Sequence, residues 1–162
     1  MTHFLIIAAD FYKDISALLI EGAKTELEKH GVTHEVVTVP GCLEIPPALA
    51  MASEVSKYDG FVILGCVIRG ETTHYDHVCQ ESMHGVTKLA TKFALALGNK
   101  ILTCENYEQA LIRADPNQKD SGGVAANAAL KLLELQNHFD TMLIEELESE
   151  LDDDELAEEY EL

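Results

Sequence analysis

The stretch GFVILGCVI at residues 60–68, running straight into RGETTH at residues 69–74, constrains this chain more than any other feature. An unbroken apolar run of that length, rich in β-branched residues and free of charge, reads as a strand buried on both faces. Strands of that kind belong to parallel sheets, in which each crossover lays a helix over one face. The residues that follow are of another character. Gly70 permits a tight turn, Thr72 or Thr73 can cap a following helix, and His74 offers an imidazole suited to proton exchange. The strand therefore carries polar, proton-exchanging groups to its carboxyl end, where open parallel sheets bind their ligands.

The flanking sequence repeats the alternation. HFLIIAA at residues 3–9 reads as a first buried strand. Ile15, Leu18, Leu19, Ala23 and Leu27 then recur at helical spacing up to Gly31, a C-terminal stop. HEVVTV at residues 34–39 is a second strand ended by Pro40-Gly41, and Ile45-Pro46-Pro47 opens a short helix, proline being tolerated in a first turn. After the central strand a long helix is expected from about Thr73 to Leu97, closed by Gly98, and KILT supplies a fourth strand. Asn106 with Gln109 resembles a capping box for a helix from Tyr107 to Ala114. A polar loop, DPNQKDSGG, leads to a last helix expected to end near His138. The expected architecture is an α/β three-layer sandwich, a four-stranded parallel sheet with helices on both faces.

Charge and length set limits on function. A chain of 162 residues fits one domain with a real core. Eleven of its 29 acidic residues, and no Lys or Arg, fall in residues 141–162, leaving −7 of the net −18 to residues 1–140. We therefore divide the chain into a domain over 1–138 and an acidic tail over 139–162. Leu143, Leu147, Leu151 and Leu156 can support a weak amphipathic helix there, but self-repulsion favours a solvated, disordered tail. No nucleic-acid partner is expected, since phosphate-backbone binding is driven by a basic face. No run is long enough to span a membrane and no export signal is evident, so Cys42, Cys66, Cys79 and Cys104 read as reduced thiols of a cytoplasmic protein.

The candidate groups lie in the strand-end loops, and each has a plain alternative. His74 at a helix start beside unpaired N–H groups makes an anion and proton-transfer site, or is incidental to a capped helix. Phe11 can stack on a flat heterocycle or close the core. Glu44, in the turn PGCLEIP, can accept hydrogen bonds from a polyol or cap the next helix. Arg113 can clamp a phosphate or simply complement its helix dipole. His77, Glu81 and His84 share one helix face, opposite the apolar stripe and without a further ligand, so no metal is expected.

Taken together, VPGCLEIP, YDGFVILGCVIRGETTHYD, ILT and EQALIRA, with the aromatic Phe11 and LLIEGA in the first helix, resemble the lumazine synthase family from about Phe4 to Leu135. The resemblance implies a flavodoxin-like fold and a transferase of riboflavin biosynthesis. Such an enzyme condenses 5-amino-6-(D-ribitylamino)uracil with 3,4-dihydroxy-2-butanone 4-phosphate and releases phosphate, with no metal or organic cofactor. It implies that Phe11 stacks on the pyrimidine and that Gly41, Cys42, Leu43, Glu44 and Ile45 bind it and the ribityl chain. Val67 and Ile68 would line the pocket, the backbone around Glu71 and Thr72 would hold the phosphate substrate, and His74 would move protons. Asn99 and Arg113 would come from the next subunit of a homopentamer, which in some members closes into a sixty-subunit shell.

The chain departs from the family pattern in three places. Asn99-Lys100 stands where many members carry an aromatic before ILT, Ser121-Gly122 stands where Lys-Gly usually opens the last helix, and the acidic tail lies outside the family core. Lys119 is the nearest substitute for the missing lysine. The sequence begins almost at the first strand, which favours a pentamer over a shell. A flavin-holding module of the same shape, or a carrier whose tail recruits a basic partner, are the competing readings.

Overall fold

The computed structural model describes residues 1–159, with side-chain surroundings as far as residue 151. Four strands, β1 (His3–Ala9), β2 (Thr33–Val39), β3 (Gly60–Ile68) and β4 (Leu97–Cys104), form one parallel sheet in the order β2-β1-β3-β4. The helices are α1 (Lys13–Lys29), α2 (Ile45–Ser53), α3 (His74–Lys92), α4 (Tyr107–Ala114) and α5 (Ser121–Glu159), with a 3-10 turn at Cys42–Glu44 ahead of α2. This is the expected flavodoxin-like three-layer sandwich.

Two cores follow from the two-residue period of the strands. Phe4, Ile6 and Ala8 of β1 face a cluster with Ile15 and Leu19 of α1, Ala110 of α4 and Ala125 of α5. Leu5, Ile7 and Ala9 face the other way, onto Ile45 and Leu49 of α2 and Val78 and Val86 of α3. Hence α1, α4 and α5 cover one face and α2 and α3 the other. The edge strand β2 is only half-buried, which accounts for its polar THEVVTV.

The helix ends show why the elements start and stop where they do. Gly31, at φ +68°, closes α1: its N–H bonds Glu28 O at 3.0 Å and the Val32 N–H bonds Leu27 O at 3.1 Å, a Schellman arrangement. Asn106 caps α4 by accepting the Gln109 N–H at 2.9 Å. The Gln109 side chain reaches back to the Glu105 N–H at 2.9 Å, one residue before the cap itself.

Two expected boundaries move. The helix α3 stops at Lys92 instead of Leu97, turned by Ala94 at φ +48°, and Gly98 lies within β4. That glycine is required by close approach: a Cβ there would run into the backbone of Ala125 on α5. At the other end α5, expected to stop near His138, continues to Glu159. No Gly or Pro interrupts residues 124–159, and Leu, Glu and Ala are strong helix formers. Between Lys131 and Leu151 no residue of α5 is fully buried. Residues 160–162 of the tail fall outside the described residues.

Candidate active site

The carboxyl ends of β1 and β3, the turn at residues 41–45 and the start of α3 surround a cleft of about 330 Å³. Phe11, Gly41, Cys42, Leu43, Glu44, Val67, Ile68, Thr72 and His74 line it. Tyr12, Cys66, Gly70, Tyr75 and Val78 line it as well. The turn is seated by contact with the floor. A Cβ on Gly65 would meet Cys42 Sγ at 2.7 Å, and Cys42 donates its thiol hydrogen to Cys66 O at 3.9 Å. Only glycine at position 65 lets the turn lie this close to β3.

Phe11 is 73 % exposed, its ring set edge-on to Tyr12 at 5.0 Å between centroids. A core role is thereby removed, and one aromatic face stands open at the cleft. Glu44 is exposed too, with its carboxylate folded back over Gly41. It stands at the N-terminal flank of α2 but makes no side-chain cap there. Ile45 is wholly buried in the α2–α3 core and supports the turn from beneath.

The start of α3 is built to meet an anion. Thr73 occupies the N-cap position without a side-chain bond, while the Thr72 hydroxyl accepts the His74 N–H at 3.3 Å. The Tyr75 N–H has no partner among the described residues, so the positive end of a nineteen-residue helix faces the cleft. His74 is exposed, and Val78, one turn further along the same helix face, lines the cleft beside it. Glu71 is exposed on the turn between Gly70 and Thr72, outside the lining itself.

Arg69 is committed elsewhere. Its Nε bonds Glu105 at 2.9 Å, its Nη1 bonds Asp76 at 3.2 Å, and its guanidinium lies 4.2 Å from the Tyr75 ring centroid. It ties the end of β3 to the first turn of α3 and to the loop before α4. The thiols are silent: burial pushes Cys42 up to about 11 and Cys66 up to about 12, so neither is a thiolate at neutral pH.

Arg113 is in a different place. It lines a second hollow of about 370 Å³ with Lys100, Ile101, Leu102, Thr103, Lys119, Ser121 and Val124, and no residue lines both hollows. Its Nη1 donates to Gln109 O at 3.1 Å within α4. Three cations and no acid line this hollow, which suits an anionic ligand. Asn99 lines neither hollow; its side-chain oxygen accepts the Ile101 N–H at 3.1 Å. His77, Glu81 and His84 are exposed on α3, and among the described residues no three His, Cys, Asp or Glu side chains gather to hold a metal.

Of the lining residues, Tyr12, Cys66, Tyr75 and Val78 are not singled out by sequence reasoning. Three are chain neighbours of Phe11, Val67 and His74, and Val78 follows His74 at helical spacing. Adjacency was the available signal.

Residues 1–137 match the family model described as 6,7-dimethyl-8-ribityllumazine synthase. The chain belongs to that family. It is 53 % identical over 139 residues to a 6,7-dimethyl-8-ribityllumazine synthase of Erythrobacter litoralis, covering 86 % of this chain and 99 % of that protein. It is 53 % identical over 136 residues to the protein of that name from Zymomonas mobilis, covering 84 % and 97 %. The Agrobacterium fabrum protein is 52 % identical over 139 residues, covering 83 % and 94 %. Among the described residues no helix is long and apolar enough to cross a membrane.

Proposed function

We propose that this chain makes 6,7-dimethyl-8-ribityllumazine in a cleft completed by a neighbouring subunit. The family's reaction joins 5-amino-6-(D-ribitylamino)uracil to 3,4-dihydroxy-2-butanone 4-phosphate, with loss of phosphate and water, and it is a transferase step of riboflavin biosynthesis. The observation that carries the residue assignment is the division just described. Nine of the residues expected at the site surround one cleft, while Arg113 opens a separate cationic hollow on the outer edge of β4.

In this reading the open face of Phe11 stacks on the pyrimidine, and Glu44 accepts hydrogen bonds from the ribityl hydroxyls. Val67, Ile68, Leu43 and Cys42 give the cleft its apolar wall, over the support of Ile45. The ring amine attacks the ketone and water leaves as an imine forms. His74 takes the carbon-bound proton, the electrons move toward the imine, and the phosphate departs. The backbone from Gly70 to Thr72, including Glu71, holds the phosphate at the positive end of α3. Arg113 of the next subunit stabilises the leaving dianion, with Asn99 beside it. A second amine–carbonyl condensation closes the ring.

No step requires a metal, an organic cofactor or a covalent nucleophile; juxtaposing two substrates supplies much of the rate. The oligomer is a homopentamer in which each cleft faces the neighbour's Arg113 hollow. The four free cysteines fit a reducing cytoplasm.

The test mixes the purified chain with both substrates and follows the absorbance and fluorescence of the lumazine. Product above the uncatalysed background is expected. Ligand held without turnover would instead identify a flavin-binding module and refute the assignment.

A further inference from the structure

Beyond Leu133, which still packs on the core, helix α5 leaves the sandwich: every residue from His138 to Leu151 is exposed, and the family match ends at residue 137. From residue 138 to residue 159 it extends for about 33 Å at 1.5 Å per residue. Phe139, Leu143, Leu147 and Leu151 recur at every fourth position, flanked by Met142 and Ile144, and all six are exposed. Side chains four apart form the ridge that packs into the groove of another helix. The sequence from Glu145 to its end holds eleven acidic residues, ten of them within this helix, and no Lys or Arg follows Lys131.

We propose that this acidic ridge is a docking surface for a cationic amphipathic helix of another protein, separate from the synthase site. Charge selects the occupant. A second copy of the ridge would bring eleven more acids against the first eleven, and like charges on facing helices repel. A neutral apolar helix would seat the ridge but leave the acids unpaired. A helix with Leu on one face and Lys or Arg on its flanks satisfies both features, its apolar face covering Phe139, Leu143, Leu147 and Leu151 while its cations pair with Glu146, Glu150 and their neighbours. It would also relieve the repulsion between Glu146 and Glu150, one turn apart, and so tighten the helix it binds.

The probe is a synthetic peptide of about 20 residues, Leu at helical spacing and Lys elsewhere, titrated onto the full chain by fluorescence anisotropy. Two full-length variants accompany it: Leu143→Ser with Leu147→Ser, which leaves charge unchanged, and Glu145→Gln with Glu146→Gln and Glu150→Gln, which leaves the ridge unchanged. Saturable binding is expected, weakened roughly tenfold or more by either variant and falling with added salt. Lumazine formation should be the same in wild type and both variants, since none of these residues lines the cleft. Three results would overturn the proposal. These are no binding of the peptide; equally tight binding of polylysine of equal charge with the Leu variant unaffected, which would mean charge attraction alone; and dissociation of a larger assembly of the chain by the Leu variant, which would make a second copy the occupant.

Discussion

Two inactive variants should restore each other if the active site lies between subunits. His74→Ala removes the proposed proton-transfer group from the cleft, and Arg113→Ala removes the forked cation from the separate hollow beside β4. Loss of a positioned acid–base group costs about 10²–10⁴ in rate, and loss of a charge-stabilising donor costs about 10²–10³, so each variant alone should be nearly silent. In a ring, each cleft pairs the histidine of one chain with the arginine of the next. When equal amounts of the two variants assemble at random, a given cleft has an intact histidine in half of cases and an intact neighbouring arginine in half. About one quarter of the clefts are then complete, and activity should return to about a quarter of wild type. The assay is lumazine fluorescence on co-expressed, differently tagged chains purified through both tags, with the variants alone as controls. If both groups served one cleft from the same chain, no mixed ring would contain a complete site. Activity no greater than the mean of the two variants, in rings shown to hold both chains, would refute the shared site.

Other consequences are simpler to check. Asn106→Ala removes the cap of the helix that presents Arg113, and should lower the urea-unfolding free energy by about 1 kcal/mol while raising KM for the phosphate substrate more than it lowers kcat. Gly98→Ala drives a methyl group into the backbone of Ala125 and should destabilise by about 1–3 kcal/mol; an unchanged denaturation midpoint would contradict the tight seating of β4 on α5. Lys119→Ala removes one of the two lysines that share the hollow with Arg113, and KM for the phosphate substrate should rise severalfold while that for the pyrimidine stays fixed. Glu35 bonds Lys57 and Tyr58, and these partners lower its carboxyl from 4.5 to about 2. Because the folded value is the lower, its stabilisation is complete above pH 4.5 and is lost as pH falls toward 2. The difference in denaturation midpoint between wild type and Glu35→Gln should therefore shrink across that window, and a gap independent of pH would count against the pairing.

Much of the fold is legible because its signals are local. The apolar runs of β1 and β3 mark strands buried on two faces, and Gly31, Pro46 and Asn106 mark helix ends through their own backbone chemistry. The errors arise where the deciding contact is remote in sequence. Gly98 reads as a helix stop, since glycine commonly ends helices, yet here it answers to Ala125, twenty-seven residues away on a different layer. The end of α5 was misplaced for a related reason. Charge density opposes a lone helix, and nothing in the local pattern weighs that repulsion against a breaker-free run of strong helix formers.

The site divides along the same line. Strand-end position, turn chemistry and helix starts identify the loops that form the cleft, since in a parallel sheet those loops gather at one edge. What they cannot identify from one chain is the meaning of Arg113. Its bond to Gln109 O is what a C-terminal helix arginine makes in any protein, and its hollow shares no residue with the cleft. In the proposed assembly it is a second subunit that would give that cation a reaction to serve. In the proposed ring, each chain's outer strand edge would sit against its neighbour's open cleft, and a group that looks structurally ordinary within one chain would become functional through symmetry. The same reasoning bears on Ser121. It is buried in the Arg113 hollow and carries no charge, so in the proposed site the phosphate would be held by Arg113, Lys119 and Lys100 together with the first turn of α3. Restoring charge with Ser121→Lys should then lower KM for the phosphate substrate only modestly. A gain of two orders of magnitude would show instead that the neighbouring cations do not reach the ligand.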